Sequence, residues 1–414
     1  MKEARKLKHK PKIPIPLFGT VDSLAQLMLP PAYQSKEHQA DFVRVVDFLK
    51  QYQGSIGTFR AYRREMERLL QWTWLIANTS ILKLQRQDIE RYILFCQKPP
   101  ISWIGTRTVS RFITNNTGET IPNPKWRLFI ARVSKSDFKY GIEAQKSHYQ
   151  LADKSLREIF TIVGSFYTYL INEQYISINP VALIRQKSKY FRKESSSKQV
   201  MRLSEKQWAY CLKVATTLAD KEPEKHERTL FILSILYLLY LRISELIPKP
   251  KWQPQMGHFF RDAQEFWWFI TVGKGNKERL ISVSDTMLEA LKRYRTHLGL
   301  SPLPNRNDAF PLIPKIRGVG PLASERDIRK IIQYCFDEAI SHLRNRNLTE
   351  EADELEYATV HWLRHTGISD DINKNGRPVA HVRDDAGHNS ILTTDRYNDV
   401  ELKERYLSGK DKKL

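Results

Sequence analysis

Apolar residues recur three and four positions apart along most of this chain, and that spacing predicts a mainly helical protein. The pattern begins at about residue 37. Phe59, Tyr62, Met66, Leu69 and Leu70 share one face of a predicted helix, with Arg60, Arg63, Arg64 and Arg68 on its other faces. The apolar stripe is core; the arginines read equally as phosphate contacts or as a solvated face. A second helix is expected over roughly Ser155 to Asn172, ending before Asn179-Pro180. The longest apolar stretch, Leu230 to Leu241, is short of the ~20 residues that a membrane span requires, and is read as a buried helix leading into Arg242. Ser204 ahead of Glu205 has the form of a helix N-cap. The period changes at Trp267-Trp268-Phe269-Ile270-Thr271-Val272 and Leu280-Ile281-Ser282-Val283, which flank Gly273-Lys274-Gly275-Asn276 as the arms of a β-hairpin. The expected fold class is mainly α with a small β-sheet.

Breaks in this pattern divide the chain. Residues 1–35 are basic and carry Pro11, Pro14, Pro16, Pro30 and Pro31, and are expected to form an extended tail. A helical domain follows over 36–185, interrupted at 97–150 by Pro99-Pro100, Asn115-Asn116, Pro122 and Pro124, with Trp103, Trp126 and Phe129 between them. That stretch reads as an insertion, suited equally to contact DNA or another subunit. Residues 186–202, with Ser195-Ser196-Ser197 among lysines and arginines, read as an exposed basic linker. A second domain occupies 203–402, and 403–414 form a C-terminal tail.

Charge adds a partner. A formal net charge of +21 is the electrostatic footprint of a protein that binds a phosphate backbone, although a basic surface also serves solubility. Cys96, Cys211 and Cys335 are odd in number and far apart, which argues against a disulfide framework and fits a reducing cytoplasm. The N-terminal lysines and arginines have no hydrophobic segment directly behind them, so no secretory signal is expected there, and no membrane role. No GxxxxGK[ST] phosphate loop and no Cys/His cluster with zinc spacing occurs, so no cofactor or metal is expected.

The richest chemistry lies in the last sixty or so residues: His361-Trp362-Leu363-Arg364-His365, Gly387-His388 and Tyr397. On a helix, His361, Arg364 and His365 share a face. A tyrosine, with a pKa near ~10, is a poor nucleophile at neutral pH and needs help to attack a phosphodiester. Cations must hold the nonbridging oxygens, a proton must reach the leaving oxygen, and water must be kept out. Arginine suits the first task because its planar fork donates two parallel hydrogen bonds and stays charged. Histidine and lysine handle protons. Each piece has an ordinary reading alone: a solvated helix face, a hairpin tip in solvent, one tyrosine among 18. Together with Leu241-Arg242-Ile243-Ser244-Glu245-Leu246 and the Lys274 hairpin, the ordered set resembles the signature of the tyrosine recombinase (phage integrase) family. Arg242, Lys274, His361, Arg364, His388 and Tyr397 fall on its positions in order.

That resemblance, strong over the second domain and weak over the first, implies a helical core-binding (SAM-like) DNA-binding domain followed by a mixed α/β catalytic domain, the two clamping double-stranded DNA. It implies site-specific recombination in integration, excision or resolution of a mobile element. Arg242 and Arg364 would clamp the scissile phosphate, and Tyr397 would attack to leave a 3′-phosphotyrosyl protein and a free 5′-hydroxyl. Lys274 would protonate that hydroxyl. Lys277 and Arg279 would contact the DNA backbone, with Arg60, Arg63 and Arg64 as further candidates. His361 and His388 would donate to the phosphate or manage the nucleophile's proton. Because one phosphoester is exchanged for another, neither ATP nor metal is required. The family further implies a homo-tetramer at synapsis, with a partner recombinase as one variant. A noncatalytic DNA-binding regulator of the same fold and a type IB topoisomerase-like enzyme are the alternatives.

Several positions stay open. Glu245 reads equally as a partner that orients an arginine or as an exposed residue. Asp384 and Asp385 are adjacent, so a helix points them in different directions, which suits a surface or capping role better than two converging metal ligands. Tyr240 stands where the family usually has glycine, crowding a tight turn, and Ala386 stands where it usually has a leucine-like residue. The tail after Tyr397 could dock on a neighbouring subunit or fray.

Overall fold

The computed structural model describes residues 12–24, 29–30, 33, 35–185, 201–273, 275–388, 390, 393–394 and 397. Two compact units result, Met1–Ser196 and Ser197–Leu414, each with its own apolar core. Most of the linker expected at 186–202 and all of the tail expected at 403–414 lie outside the described residues. No helix among the described residues is long and apolar enough to cross a membrane.

In the first unit, helix α1 (Lys36–Lys50) begins at Ser35, whose hydroxyl accepts from the His38 N–H. Helix α2 (Ile56–Trp72) buries Phe59, Met66, Leu69 and Leu70 of the predicted stripe, and Tyr62 is partly buried against the same core. Arg68 departs from the expected polar faces: it is buried, donates to Glu65 at 2.7 Å and stacks over Phe129. Helix α3 (Arg86–Gln97) leads into the 97–150 region. There β1 (Ile104–Gly105) pairs in parallel with β4 (Phe129–Ile130). Strands β2 (Phe112–Thr114) and β3 (Thr120–Pro122) form an antiparallel pair, and α4 (Lys135–Lys139) follows. Trp103, Trp126 and Phe129 from this region belong to the same core as α2 and α5 (Asp153–Asn172). The short α6 (Ala182–Arg185) ends the described part of the unit.

The expected extended tail needs correction. Residues 12–18 have no helix or strand, but they are strapped to α2 rather than hanging free. Gln71 accepts from the Ile15 N–H at 3.1 Å and donates to its carbonyl at 2.7 Å, and Glu67 accepts from the Leu17 N–H. Arg111 binds the Phe18 carbonyl at 2.9 Å and pairs with Glu67, while Leu17 and Phe18 are buried. Prolines explain the missing periodicity; the long-range polar partners supply the order.

In the second unit, α7 (Glu205–Lys221) starts at Ser204 with a reciprocal capping box to Gln207. Helix α8 (Pro223–Leu238) has proline in its exposed first turn and is buried from Thr229 to Leu236. Strands β5 (Phe259–Arg261), β6 (Trp267–Val272) and β7 (Glu278–Ser282) form an antiparallel sheet in that order, with buried Phe269 opposite buried Ile281. Helices α9 (Asp285–His297), α10 (Glu325–Asn345) and α11 (Thr349–Glu356) lead to α12 (Val360–Asn373) and α13 (Val379–Ala386). Helix α12 packs directly on α8 at Gly367, where a Cβ would run into the Tyr237 carbonyl. This close approach brings the end of α8, the front face of α12 and the hairpin beside α13 to one place.

Candidate active site

Helix α8 ends at Leu238, and the chain turns through Tyr240 at φ +49°. The left-handed region costs a bulky residue ~1–2 kcal/mol, so the turn expected to favour glycine exists with tyrosine in it. Its ring is 1% exposed, its hydroxyl donates to Asp371, and Arg377 donates to that hydroxyl at 2.9 Å. Burial and these anchors offset the backbone strain. The turn aims two groups at the site: the Tyr240 carbonyl, which accepts from Arg364, and the Arg242 side chain just beyond.

Arg242 opens a single 3-10 turn, Ile243–Glu245. Its N–H and Nη1 donate to Glu245 at 2.9 and 3.2 Å, and its Nη2 reaches the Gly387 carbonyl at 3.4 Å. Glu245 is fully buried and also accepts the fork of Arg279 at 2.9 and 2.8 Å. Burial acts to raise its pKa, but Arg279 and Arg242 together hold the carboxyl below the usual range. Of its two open readings, orienting an arginine is the one the geometry supports. Arg279 corrects an expectation: its guanidinium turns inward to Glu245, with Nε on the Asp385 carbonyl at 3.0 Å, and is not spread on the surface.

Helix α12 presents His361, Arg364 and His365 on one face. Arg364 is 2% exposed, and its Nη2 donates to the Ala386 carbonyl at 2.6 Å and to His388 Nε2 at 3.1 Å. Burial, then Arg242, pushes its pKa down to about 9, which still leaves it charged at neutral pH. His388 follows α13, which Gly387 ends at φ +62°. A Cβ on Gly387 would lie 2.9 Å from Arg279 Cδ, so both backbone and packing demand glycine. Because His388 Nε2 accepts from Arg364, its Nδ1 is assigned the proton, which it donates to Thr394 Oγ1 at 2.9 Å.

Tyr397 is 5% exposed. Its N–H donates to the Thr394 carbonyl at 2.9 Å, and its carbonyl accepts from Asn373 at 2.8 Å. Its ring lies nearly parallel to His388, 5.9 Å away, and its hydroxyl meets His365 Nδ1 in a short hydrogen bond. The three histidines share one electrostatic signature. Burial first, then Arg364 and Arg242, bring His388 to about 4; burial, then His361 and Arg364, bring His365 to about 3; His361, exposed at the start of α12, is lowered in the same direction by partial desolvation and the same two arginines. Positive charge is concentrated here, partly balanced by the buried Glu245 carboxylate. Such a pocket favours an anion with oxygens that can accept from two guanidinium groups.

Of the six positions in the predicted signature, Arg242, His361, Arg364, His388 and Tyr397 converge, and Lys274 lies outside the described residues. Lys277 is exposed on the hairpin, where its carbonyl accepts from Gly273 at 2.8 Å. In the first unit Arg60 is exposed, Arg63 is half-buried against the Gly19 carbonyl, and Arg64 is exposed and paired with Glu65 and Glu158.

The carboxylate pair divides. Asp384 is at the surface with Arg383, as expected, but Asp385 is buried, binding Ser282 and Arg377, each at 2.7 Å. Sequence reasoning missed this network, and missed His365 and Thr394 as site residues. Only His365 left a signal, four residues after His361 on the same helical face.

The sequence profile of the phage integrase family matches residues 202–404. Tyrosine recombinase XerD of Staphylococcus saprophyticus is 30% identical over 279 residues, 66% of this chain and 82% of the relative. Tyrosine recombinase XerC of Chlorobaculum parvum is 26% identical over 268 residues, 61% of this chain and 72% of the relative. Among solved structures, a post-cleavage complex of the XerH site-specific recombinase with palindromic difH substrate shares the fold at a TM-score of 0.55, 12% identity, covering 94% of this chain and 93% of that one. The Tn1549 transposon integrase in complex with circular intermediate DNA gives 0.50 at 13% identity, covering 89% and 98%.

Proposed function

The chain belongs to the phage integrase family of tyrosine recombinases, and from that membership we propose that it cuts and rejoins double-stranded DNA at specific sites through a covalent 3′-phosphotyrosyl intermediate. The observation that carries this reading is the placement of Tyr397, its hydroxyl bonded to His365 and its ring parallel to a neutral His388 that accepts from Arg364, a nucleophile set beside an anion site. Arg242 and Arg364 bind the nonbridging oxygens of the scissile phosphate and stabilise the charge that builds there. Carbonyls of Tyr240, Ala386 and Gly387 hold both guanidiniums before DNA arrives, so little reorganisation remains for the reaction. Tyr397 attacks in line and the 5′-oxygen leaves with a proton from Lys274. His361 donates to the phosphate, and His388, which accepts from Arg364, positions that guanidinium.

Bond energy is kept in the phosphotyrosyl ester, and attack by a 5′-hydroxyl from a second site completes the exchange. Four copies bring two DNA sites together at synapsis, and the reaction serves integration, excision or resolution of a mobile element. Similarity to Xer recombinases and the fold shared with the Tn1549 integrase support this reading.

The test uses plasmids carrying paired sites cloned from the DNA flanking the gene. Recombinant junctions that form with the wild type and vanish with Tyr397→Phe are expected. Relaxation of supercoils without recombinants would point to topoisomerase-like action by single copies. Binding with neither product would leave a DNA-binding regulator.

A further inference from the structure

The geometry points to His365 as the group that takes the proton from Tyr397 when the tyrosine attacks DNA; this rests on the phosphotyrosyl reading above. His365 is outside the ordered signature, yet its Nδ1 is hydrogen-bonded to the Tyr397 hydroxyl. His388 is committed elsewhere: Nε2 accepts from Arg364 and Nδ1 binds Thr394. His361 meets His365 edge-on with ring centroids 4.2 Å apart, which places it beside His365 within the same helical face. Asn373 and Thr394 fix the main chain of Tyr397, so its hydroxyl is held toward α12.

The groups that face His365 keep it neutral. Burial, His361 and Arg364 from its own helix, and His388 from beyond α13 all oppose a second proton on the ring. A neutral ring with its hydrogen on Nε2 offers the Nδ1 lone pair to the phenol. A scissile phosphate between Arg242 and Arg364 brings negative charge to the same place, offsetting those cations and raising the proton affinity of His365 when it is needed.

The step balances. The Tyr397 Oη–P bond forms and the P–O5′ bond breaks. The phenolic proton moves to His365 Nδ1, giving an imidazolium, and the departing 5′-oxygen receives a different proton, in our reading from Lys274. In rejoining, the 5′-hydroxyl gives its proton to Lys274 and attacks phosphorus, the P–O5′ bond forms as the Oη–P bond breaks, and His365 returns its proton to the tyrosine.

The probe is a nicked suicide DNA on which the wild type accumulates adduct. If no flanking DNA traps the wild type, the proposed function fails and His365 is not at issue. On a trapping DNA, single-turnover cleavage is followed from pH 6 to pH 9.5 for wild type, His365→Ala and His365→Asn. Asparagine keeps a hydrogen-bonding oxygen near the Nδ1 position but accepts no proton. Both variants should bind the DNA like the wild type and cleave about 100-fold more slowly at pH 7. Their deficit should shrink toward pH 9.5, as the tyrosine, with a free pKa near ~10, begins to ionise unaided. A 5′-bridging sulfur in the DNA, which leaves without a proton, should not rescue them. Wild-type rates in His365→Ala, full activity in His365→Asn, rescue by the sulfur, or a deficit independent of pH would each overturn the assignment. The last would indicate packing alone and the third a proton donor.

Discussion

Arg364 spreads one guanidinium over the Tyr240 carbonyl, the Ala386 carbonyl and the His388 ring while 2% exposed. Lysine offers a point charge and no fork, so Arg364→Lys should slow cleavage by at least about 100-fold with little change in DNA binding, compared by adduct formation and by gel shift. The depressed histidines make a second prediction. His388 titrates at about 4 and His365 at about 3 in the folded protein, against ~6.5 when unfolded. Between these values the unfolded chain binds more protons, so the histidines' contribution to stability is complete above ~6.5 and is lost as pH falls through about 4 for His388 and about 3 for His365. Thermal midpoints should decline across that interval, and His388→Gln should decline less.

The elements place these residues through a few close contacts. Gly387→Ala would put a Cβ against Arg279 at φ +62°, and should destabilise the second unit by more than ~1 kcal/mol in denaturant unfolding. Tyr240→Gly sets two effects against each other: relief of ~1–2 kcal/mol of backbone strain and loss of a buried aromatic side chain, worth ~3–5 kcal/mol. The second is larger, so the variant should melt lower than wild type even though it restores the residue usual in the family. What could be read from sequence follows the same division between local and distant. The Ser204 cap, the Lys274 hairpin and the α2 stripe depend on neighbours in the chain, and they were legible. The ordered signature was legible too, and five of its positions, Arg242, His361, Arg364, His388 and Tyr397, meet in the second unit. The inward turn of Arg279, the burial of Arg68 and Asp385, and the strapping of residues 12–18 depend on partners far away in sequence: Glu245, Phe129, Ser282 and Glu67. Local composition made each of these look like surface or tail.

The molecule as a whole combines two separate cores with a net charge of +21. Binding led by phosphate contacts should weaken steeply with salt: about 6–10 such contacts correspond to a loss of roughly 10³–10⁵ in affinity between 50 and 200 mM. A shallow dependence would indicate that much of the basic surface stays off the DNA. If Tyr397 becomes joined to DNA, wild type and Tyr397→Phe incubated with nicked DNA from the flanks of the gene should differ in the protein that survives denaturation on the DNA. An adduct through a 3′-phosphate is expected with the wild type and none with Tyr397→Phe, both proteins binding equally. An adduct that persists in Tyr397→Phe, or equal binding with no adduct from either protein, would contradict that attachment.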